Sequence, residues 1–392
     1  MFTIVQKFGG TSLGDVPRIQ RAAEIVAKSF LTGKKTVVVV SAMAGVTNTL
    51  SQWMREINEH SYGKEEYDVV LSSGEQVTAG LLTSALQSMG FAARSWMGWQ
   101  LPILTKKNNK EEEAEIIDIN VQEILKDLEN NIIPVIAGFQ AINADNRITT
   151  LGRGGSDTTA TALASFLNAS YCQIFTDVSG VYTADPFVVK NARRFMRLSY
   201  ENMFMLSSCG AKVLHPSSVE WAMKNKIPLQ VLSSFENSFI GTWVGTEDNQ
   251  KICGITQKNV LQWYVEVDFH GYETLQERLR KASVVFLDFC FQEDRRFSFL
   301  TCYSYKNILE DVLSNFSHTS HSCMLITLIN QTQDSSAHSR NYLKDIQLLL
   351  SSDISVRRSF SSTHTSNFLV DKNDAGKALN QLHDTLELYN VV

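Results

Sequence analysis

All six prolines of the 392-residue chain lie at or before Pro228, and only three of its 21 glycines (Gly254, Gly271, Gly376) fall after Gly245. Gly and Pro are the strongest punctuation a backbone has. Tight turns therefore belong to the first part of the chain, and the last part has to fold almost without them. The break falls near Thr-Glu-Asp-Asn-Gln-Lys, 246–251. The length suits two or three domains, and the expected division is 1–247, 248–318 and 319–392.

Before the break, short apolar runs alternate with amphipathic stretches. Thr3–Phe8, Thr36–Val40, Ile132–Ala137, Tyr171–Thr176 and Lys226–Leu232 read as buried strands, because a strand covered on both faces is a near-continuous apolar run. Residues 16–26 and 76–89 read as helices, the second stopped by Gly90. This βαβα rhythm predicts an α/β layered domain with a mostly parallel sheet, whose ligands sit at the carboxyl ends of the strands. After the break the order is strand, helix, strand, strand, helix, and then the same again: 260–269, 273–281, 284–291, 296–305, 307–316, then 323–329, 341–350, 354–360, 365–370, 375–386. That βαββα order, given twice, predicts two α+β modules. The Ser/His-rich stretches 317–322 and 359–366 are expected to be loops or strand edges.

A net charge of −5 carries no electrostatic footprint for nucleic acid. The most charged segment, 106–115, changes sign midway and reads as a solvated loop and helix start. Six cysteines without a CxxC spacing fit a reduced, cytoplasmic setting. No apolar run approaches the roughly 20 residues that span a bilayer, and no signal peptide is expected.

The densest chemistry lies in Thr150-Leu-Gly-Arg-Gly-Gly-Ser-Asp-Thr-Thr-Ala160, just before a helical apolar pattern. Glycines let a backbone approach a ligand, a helix start offers unpaired N–H groups to an anion, and Arg153 can hold a carboxylate through two parallel hydrogen bonds. Asp157 can hold a cation or a lysine. A plain Gly-Gly turn is the competing reading. Related pieces recur. Lys7-Phe-Gly-Gly-Thr-Ser12 ends the first strand with a cation and bare amides at Gly9 and Gly10, suited to phosphate, and the chain contains no GxxxxGK[ST] loop. Ser41 and Thr47 follow the second strand as carboxylate ligands or turn formers. Glu75 is placed at a helix start, where the dipole favours an acid and where it can also hold an ammonium group. Thr176-Asp-Val-Ser-Gly-Val-Tyr-Thr-Ala-Asp-Pro186 offers Asp177 and Asp185 to Mg²⁺ or a nucleotide, and Tyr182 to a base. Gly210-Ala-Lys-Val-Leu-His-Pro216 adds Lys212, with His215 read as a structural hydrogen-bonder. His318, His321 and Cys323 have loose metal-like spacing and are read as part of a Ser/His loop. No metal-ligating set is assigned. Two lysines, an arginine, several strand-end glycine turns and a few carboxylates suit phosphoryl transfer, which needs positioning and charge neutralisation rather than a nucleophilic side chain. An acceptor held by Arg153 and Glu75 carries both a carboxylate and an ammonium, as an amino acid does.

As a set, Lys7–Ser12, Ser41–Asn48, Gly74-Glu75, Gly138-Phe139-Gln140, Thr150–Thr159, Thr176–Pro186 and Gly210–Pro216 resemble the aspartokinase signatures, in the family's order and over about the first 245 residues. The resemblance implies the three-layer amino-acid kinase fold followed by two ACT-like modules, and transfer of the ATP γ-phosphoryl to the side-chain carboxylate of L-aspartate. It implies that Lys7 neutralises the moving phosphoryl, Gly9 and Gly10 cradle it, and Asp157 orients Lys7 and the substrate. Arg153 grips the substrate α-carboxylate and Glu75 its ammonium, with Ser41, Thr47, Phe139, Gly154 and Ser156 lining the pocket. Thr176, Asp177, Tyr182, Asp185 and Lys212 hold the nucleotide. ATP and Mg²⁺ are the implied cofactors, and a homodimer or dimer of dimers through the ACT-like modules the implied assembly. Where the family usually carries Arg after the Asp-Pro of the nucleotide loop, this chain has Phe187, with Arg193 and Arg194 as nearby substitutes. The first ACT-like module lacks the usual effector segment, with Val284–Phe291 in its place, so weak or altered feedback is expected. A non-catalytic amino-acid-sensing relative of the same fold is the alternative.

Overall fold

A computed structural model describes residues 2–57, 64–107, 114–236, 240–246, 253–267, 269–292, 296–330, 349, 354–362 and 364–385. The chain divides into two compact units. The first is Met1–Val181, Arg194–Ser208 and Lys212–Asn249, and the second Tyr182–Arg193, Cys209–Ala211 and Gln250–Val392.

The first unit is built on an eight-stranded sheet. Its strands are β1 (Thr3–Phe8), β2 (Lys35–Val40), β3 (Ala93–Trp96), β6 (Ile133–Ala137), β9 (Tyr171–Thr176), β10 (Arg197–Ser199), β11 (Leu229–Ser233) and β12 (Thr242–Gly245), in the order β10-β12-β11-β9-β1-β2-β6-β3. From β11 to β3 every pairing is parallel, and β12 returns antiparallel to β11. A smaller sheet holds β4 (Ile103–Lys107), β5 (Ala114–Ile119), β7 (Gln140–Ile142) and β8 (Ile148–Thr150), in the order β5-β4-β7-β8. The helices are α1 (Val16–Leu31), α2 (Val46–Ile57), α3 (Lys64–Ser88), α4 (Gln122–Glu129), α5 (Gly155–Phe166), α6 (Tyr200–Ser208) and α7 (Pro216–Asn225).

Strand alternation sorts the side chains. Phe8, Val38, Val40, Val135, Ala137 and Phe175 join Ile19, Ala23, Val26, Leu82 and Leu86 of α1 and α3 in one core. On the opposite face α5 packs on β1, β2 and β9. The α1 face also buries a row of amides. The Gln6 amide donates to Ser29 Oγ and to Gln173 Oε1, both at 2.8 Å, and the Gln173 amide donates to Gln230 Oε1 at 2.8 Å. Residue 6 pairs with 173 and 173 with 230 across three parallel strands, so each side chain meets its neighbour's.

The second unit forms one six-stranded antiparallel sheet, β14-β15-β13-β16-β18-β17. Its strands are β13 (Cys253–Glu266), β14 (Phe286–Gln292), β15 (Arg296–Cys302), β16 (Ser317–Asn330), β17 (Val356–Ser361) and β18 (Thr365–Asp371), with α8 (Phe269–Lys281), α9 (Lys306–Val312) and α10 (Ala375–Thr385). The two βαββα halves thus share a sheet, joined through the 14-residue strands β13 and β16, which pair over their whole length. A boundary at 318/319 falls inside β16. The helix expected over 341–350 lies, apart from Leu349, outside the described residues. Residues 182–193 fold with this unit. The Ile255 amide donates to Thr183 O (2.7 Å), the Asn380 amide to Val188 O (3.1 Å), and Thr183 Oγ1 lies 3.0 Å from Nε2 of the fully buried His383.

Two sequence expectations are corrected. The helix expected over 76–89 begins at Lys64, so Glu75 sits mid-helix and not at a helix start. Ser72-Ser73-Gly74 reads as a break, but both hydroxyls donate to carbonyls three residues back, Val69 and Val70, and the helix runs through. At its described ends the charged stretch 106–115, expected as a loop and helix start, is strand. Its described ends belong to β4 and β5, paired antiparallel, with Lys106 3.2 Å from Glu115. Of the two readings open for residues 317–322, loop or strand edge, the structure gives the second: they start β16 and pair with β13 on one side only.

Candidate active site

β1, β2 and β6 are neighbours in the parallel sheet, and the loops at their carboxyl ends open on one cavity of about 600 Å³, at which α5 begins. Its lining includes Lys7, Gly10, Ser41, Thr47, Glu75, Phe139, Arg153, Gly154, Ser156 and Asp157. Ten of the residues singled out in the sequence are therefore together, drawn from five separate segments. Gly9 adjoins them: a methyl on it would lie 3.5 Å from Lys7 Nζ. Thr176 ends β9 and Asp177 follows it, exposed, its carboxylate accepting from the Thr176 hydroxyl at 3.2 Å. Lys212 is exposed before α7. None of these three lines the cavity. Tyr182 and Asp185 fall in the second unit. Arg194 does not extend toward a ligand, since its guanidinium donates to the backbone carbonyls of Ser179 (3.3 Å) and Ile240 (3.1 Å). Phe187 is 80% exposed.

Lys7 points to the α5 face of β1, opposite Gln6 and Phe8, and its ammonium lies 2.5 Å from Asp157 Oδ1. Asp157 is in the first turn of α5, where the helix dipole favours an acid. The start of α5 has no side-chain cap; the Gly155 amide donates to Gly152 O at 3.1 Å, and the amides of the turn behind it face a ligand. That start needs glycine at 154. Its φ is +70°, and a Cβ there would come within 2.1 Å of His215 Cβ. His215 is the N-cap residue of α7, its ring Nδ1 2.8 Å from Ser217 Oγ, which agrees with a structural role.

The other end of the cavity is set by α3. Glu75 is 3% exposed, and its Oε1 accepts from the Ala42 backbone amide at 3.0 Å. Gly74 lets the helix come this close, since a Cβ on it would lie 2.8 Å from Ala42 Cβ. Glu75 Oε2 is buried with no hydrogen-bond partner among the described residues. Burial pushes this carboxyl up to about 7. Arg153 is exposed and has no ion-pair partner among the described residues. Phe139 has φ +69°, a strained value for a non-glycine residue, and its amide donates to Thr159 Oγ1 at 3.1 Å.

The sequence reading missed one member of this shell, Asp68, and named a second, Gln140, without giving it a role. Asp68 is 3% exposed and accepts from the Thr150 hydroxyl at 2.7 Å, and burial raises its carboxyl above the usual range. Gln140 is fully buried, its amide donating to Ser72 O at 3.0 Å while its Oε1 accepts from the Gly98 amide at 3.3 Å. Asp68, Ser72 and Glu75 stand at i, i+4 and i+7, a signal visible once the helix is started at Lys64. Cys172 is fully buried, and burial together with the charge of Asp157 raises its thiol, so it stays protonated and inert.

A lysine fixed at a strand end, a helix N-terminus without a side-chain cap, a carboxyl with one oxygen left over and a guanidinium in the same cavity wall can steady a phosphoryl group beside an acceptor that carries both charges. Among the described residues no group of three or more His, Cys, Asp or Glu is placed to hold a metal by itself, and no helix is long and apolar enough to cross a membrane.

The amino acid kinase family profile matches residues 2–233. An aspartokinase of Rickettsia felis is 45% identical over 269 residues, 67% of this chain and 67% of that protein. An aspartate kinase of Pseudomonas putida is 46% identical over 252 residues, 64% of this chain and 60% of that protein. The chain thus aligns with about two thirds or less of the length of these curated relatives. Among solved structures, E. coli aspartokinase III in complex with aspartate and ADP superposes with a TM-score of 0.76 at 23% identity, over 98% of this chain and 99% of that one. An aspartate kinase from Synechocystis superposes at 0.56 with 27% identity, over 100% of this chain and 69% of that one.

Proposed function

This chain belongs to the amino acid kinase family, within its aspartokinase branch, and on that premise we propose that its cavity transfers the ATP γ-phosphoryl to the side-chain carboxylate of L-aspartate. The carrying observation is that Lys7, Asp157, Glu75 and Arg153 line one cavity, with cation and anion arranged for a substrate of both signs.

The acceptor binds with its α-carboxylate on Arg153 and its ammonium on Glu75, displacing the proton that burial keeps on the Glu75 carboxyl. Ser41, Thr47, Phe139, Gly154 and Ser156 close around it. Its second carboxylate is ionised at neutral pH and is itself the nucleophile, so no general base is required. One of its oxygens forms a bond to the γ-phosphorus as the bond to the bridging β–γ oxygen breaks, and ADP leaves with the electron pair. Lys7, Gly9, Gly10 and the open start of α5 stabilise the charge on the three equatorial oxygens, while Asp157 fixes the Lys7 ammonium. Thr176, Asp177 and Lys212 serve the nucleotide. Mg²⁺ takes oxygen ligands and usually keeps one or two carboxylates beside phosphate. The exposed strand-end carboxylate of Asp177 fits that demand. When bound, the ion offsets charge on the phosphate oxygens.

A non-catalytic sensing relative is the less favoured reading, because such a protein has no need of the buried Lys7–Asp157 pair. A coupled ADP-release assay decides. Aspartate-dependent release is expected, with glutamate far poorer. ATP turnover that ignores aspartate would overturn the assignment.

A further inference from the structure

One face of α3 is tied in succession to three loops that bound the acceptor end of the cavity. Asp68 receives the Thr150 hydroxyl, the Ser72 carbonyl receives the Gln140 amide, and Glu75 receives the Ala42 amide. Gln140 and Thr150 are cross-strand partners at the open end of the β7–β8 hairpin. Immediately beyond them the Leu151 amide donates to Phe139 O at 2.9 Å. Phe139 and Gly152–Gly155 therefore leave the two strands of one hairpin. The far end of that hairpin is also held by α3, through Arg147, whose Nε lies 3.0 Å from Glu65, with Glu66 as a second partner at 2.5 Å.

We propose that Asp68 and Gln140 are positioning residues for the acceptor. They hold the β7–β8 hairpin to α3 and thereby set where Phe139 and Arg153 stand relative to Glu75. The inference rests on the acceptor reading of Arg153 and Glu75 given above. Three properties mark these side chains as more than filler. Both are buried at or below 3% exposure. Both use polar atoms to reach backbone or hydroxyl groups next to cavity residues. Neither lines the cavity, so neither touches substrate. Lys7 and Asp157 stand on β1 and α5 and make no hydrogen bond to α3 among those described. Loosening the hairpin therefore acts first on acceptor binding, while the Lys7–Asp157 pair keeps its own anchors, α5 packed on β1, β2 and β9. A small displacement of Arg153 is enough, since a bidentate grip on a carboxylate depends on geometry.

The test is steady-state kinetics of Asp68→Ala, Gln140→Leu and Thr150→Val in the full chain, with aspartate and ATP varied separately. Thr150→Val removes the hydroxyl that Asp68 receives but alters a residue of the cavity wall, so Gln140→Leu, which leaves that wall untouched, is the variant that reports where Asp68→Ala folds poorly. Each variant is expected to raise KM for aspartate about tenfold, with KM for ATP within about twofold and kcat at saturating aspartate within about threefold. Asp68→Asn, which keeps one acceptor oxygen, is expected to recover part of the loss. Asp68→Ala combined with Thr150→Val is expected to be no worse than Asp68→Ala alone. An unchanged KM for aspartate, or parallel rises for both substrates, would overturn the positioning role. Absence of aspartate-dependent ADP release from the unsubstituted chain would instead overturn the reading on which it rests.

Discussion

The ammonium of Lys7, at the end of β1, lies 2.5 Å from a carboxylate oxygen of Asp157, in the first turn of α5, with about a tenth of each side chain exposed. A pair so nearly dry is sensitive to loss of one member, because the survivor keeps its charge without its partner. Lys7→Met is expected to lower kcat by about 10²–10³-fold, as removal of one charge-stabilising group does elsewhere, and to lower stability by about 3 kcal/mol. Adding Asp157→Asn is expected to restore most of the stability and none of the turnover. Urea unfolding and ADP release, measured on the same preparations, check both halves.

Glu75 titrates near pH 7 in the folded chain against 4.5 ordinarily, because burial opposes its charge. A folded value above the unfolded one makes a contribution to stability that is complete below about pH 4.5 and fades as pH rises through 7. The ligand-free protein should therefore lose roughly 2–3 kcal/mol between about pH 5 and 8 from this group, and Glu75→Gln should flatten that slope. Aspartate binding has the opposite sense, since its ammonium wants the ionised form. KM for aspartate is expected to fall as pH rises through about 7. A thermal-unfolding series and a pH profile of KM measure the two.

Gly154→Ala combines a backbone at φ +70° with a methyl placed against the His215 side chain. The left-handed conformation alone costs about 1–2 kcal/mol for a residue with a Cβ, and the collision adds to it. A loss of about 3 kcal/mol and a displaced α5 start are expected, read as a drop in the urea midpoint and a weaker grip on both substrates.

Gln173 stands in the middle of the buried amide row. Gln173→Leu removes an acceptor from the Gln6 amide and a donor from Gln230 Oε1, which should cost about 2 kcal/mol, visible in the urea midpoint. Turnover per folded molecule should not change, because the row lies on the α1 face of the sheet, away from Lys7.

The parallel order of the first unit was legible because buried strands are apolar throughout and glycine turns follow them. Tyr171–Thr176 is the strand the sequence predicts, end for end. Ten cavity residues were legible for a related reason: the chemistry of strand-end turns is local. What was not legible depends on partners far along the chain. Ser72-Ser73-Gly74 looks like a helix break until the hydroxyls are seen bonding back within α3 and Gly74 is seen facing Ala42. With the helix cut there, Asp68 appeared unrelated to Glu75. The pairing of 317–322 with 261–266 was half legible, since a stretch rich in serine and histidine suits a loop or a strand edge and only the long partner strand decides for the edge. Segment 182–193 reads as a turn after β9, and nothing local shows that its hydrogen bonds run to Ile255, Asn380 and His383.

That last feature bears on how the protein can be cut. A fragment ending at residue 247 keeps every cavity residue yet removes all three of those tethers, so the stretch bearing Asp185 and Phe187 would be severed from its own anchor. Swapping tails between relatives at the apparent linker carries the same hazard, and a workable chimera has to exchange 182–193 together with the C-terminal sheet.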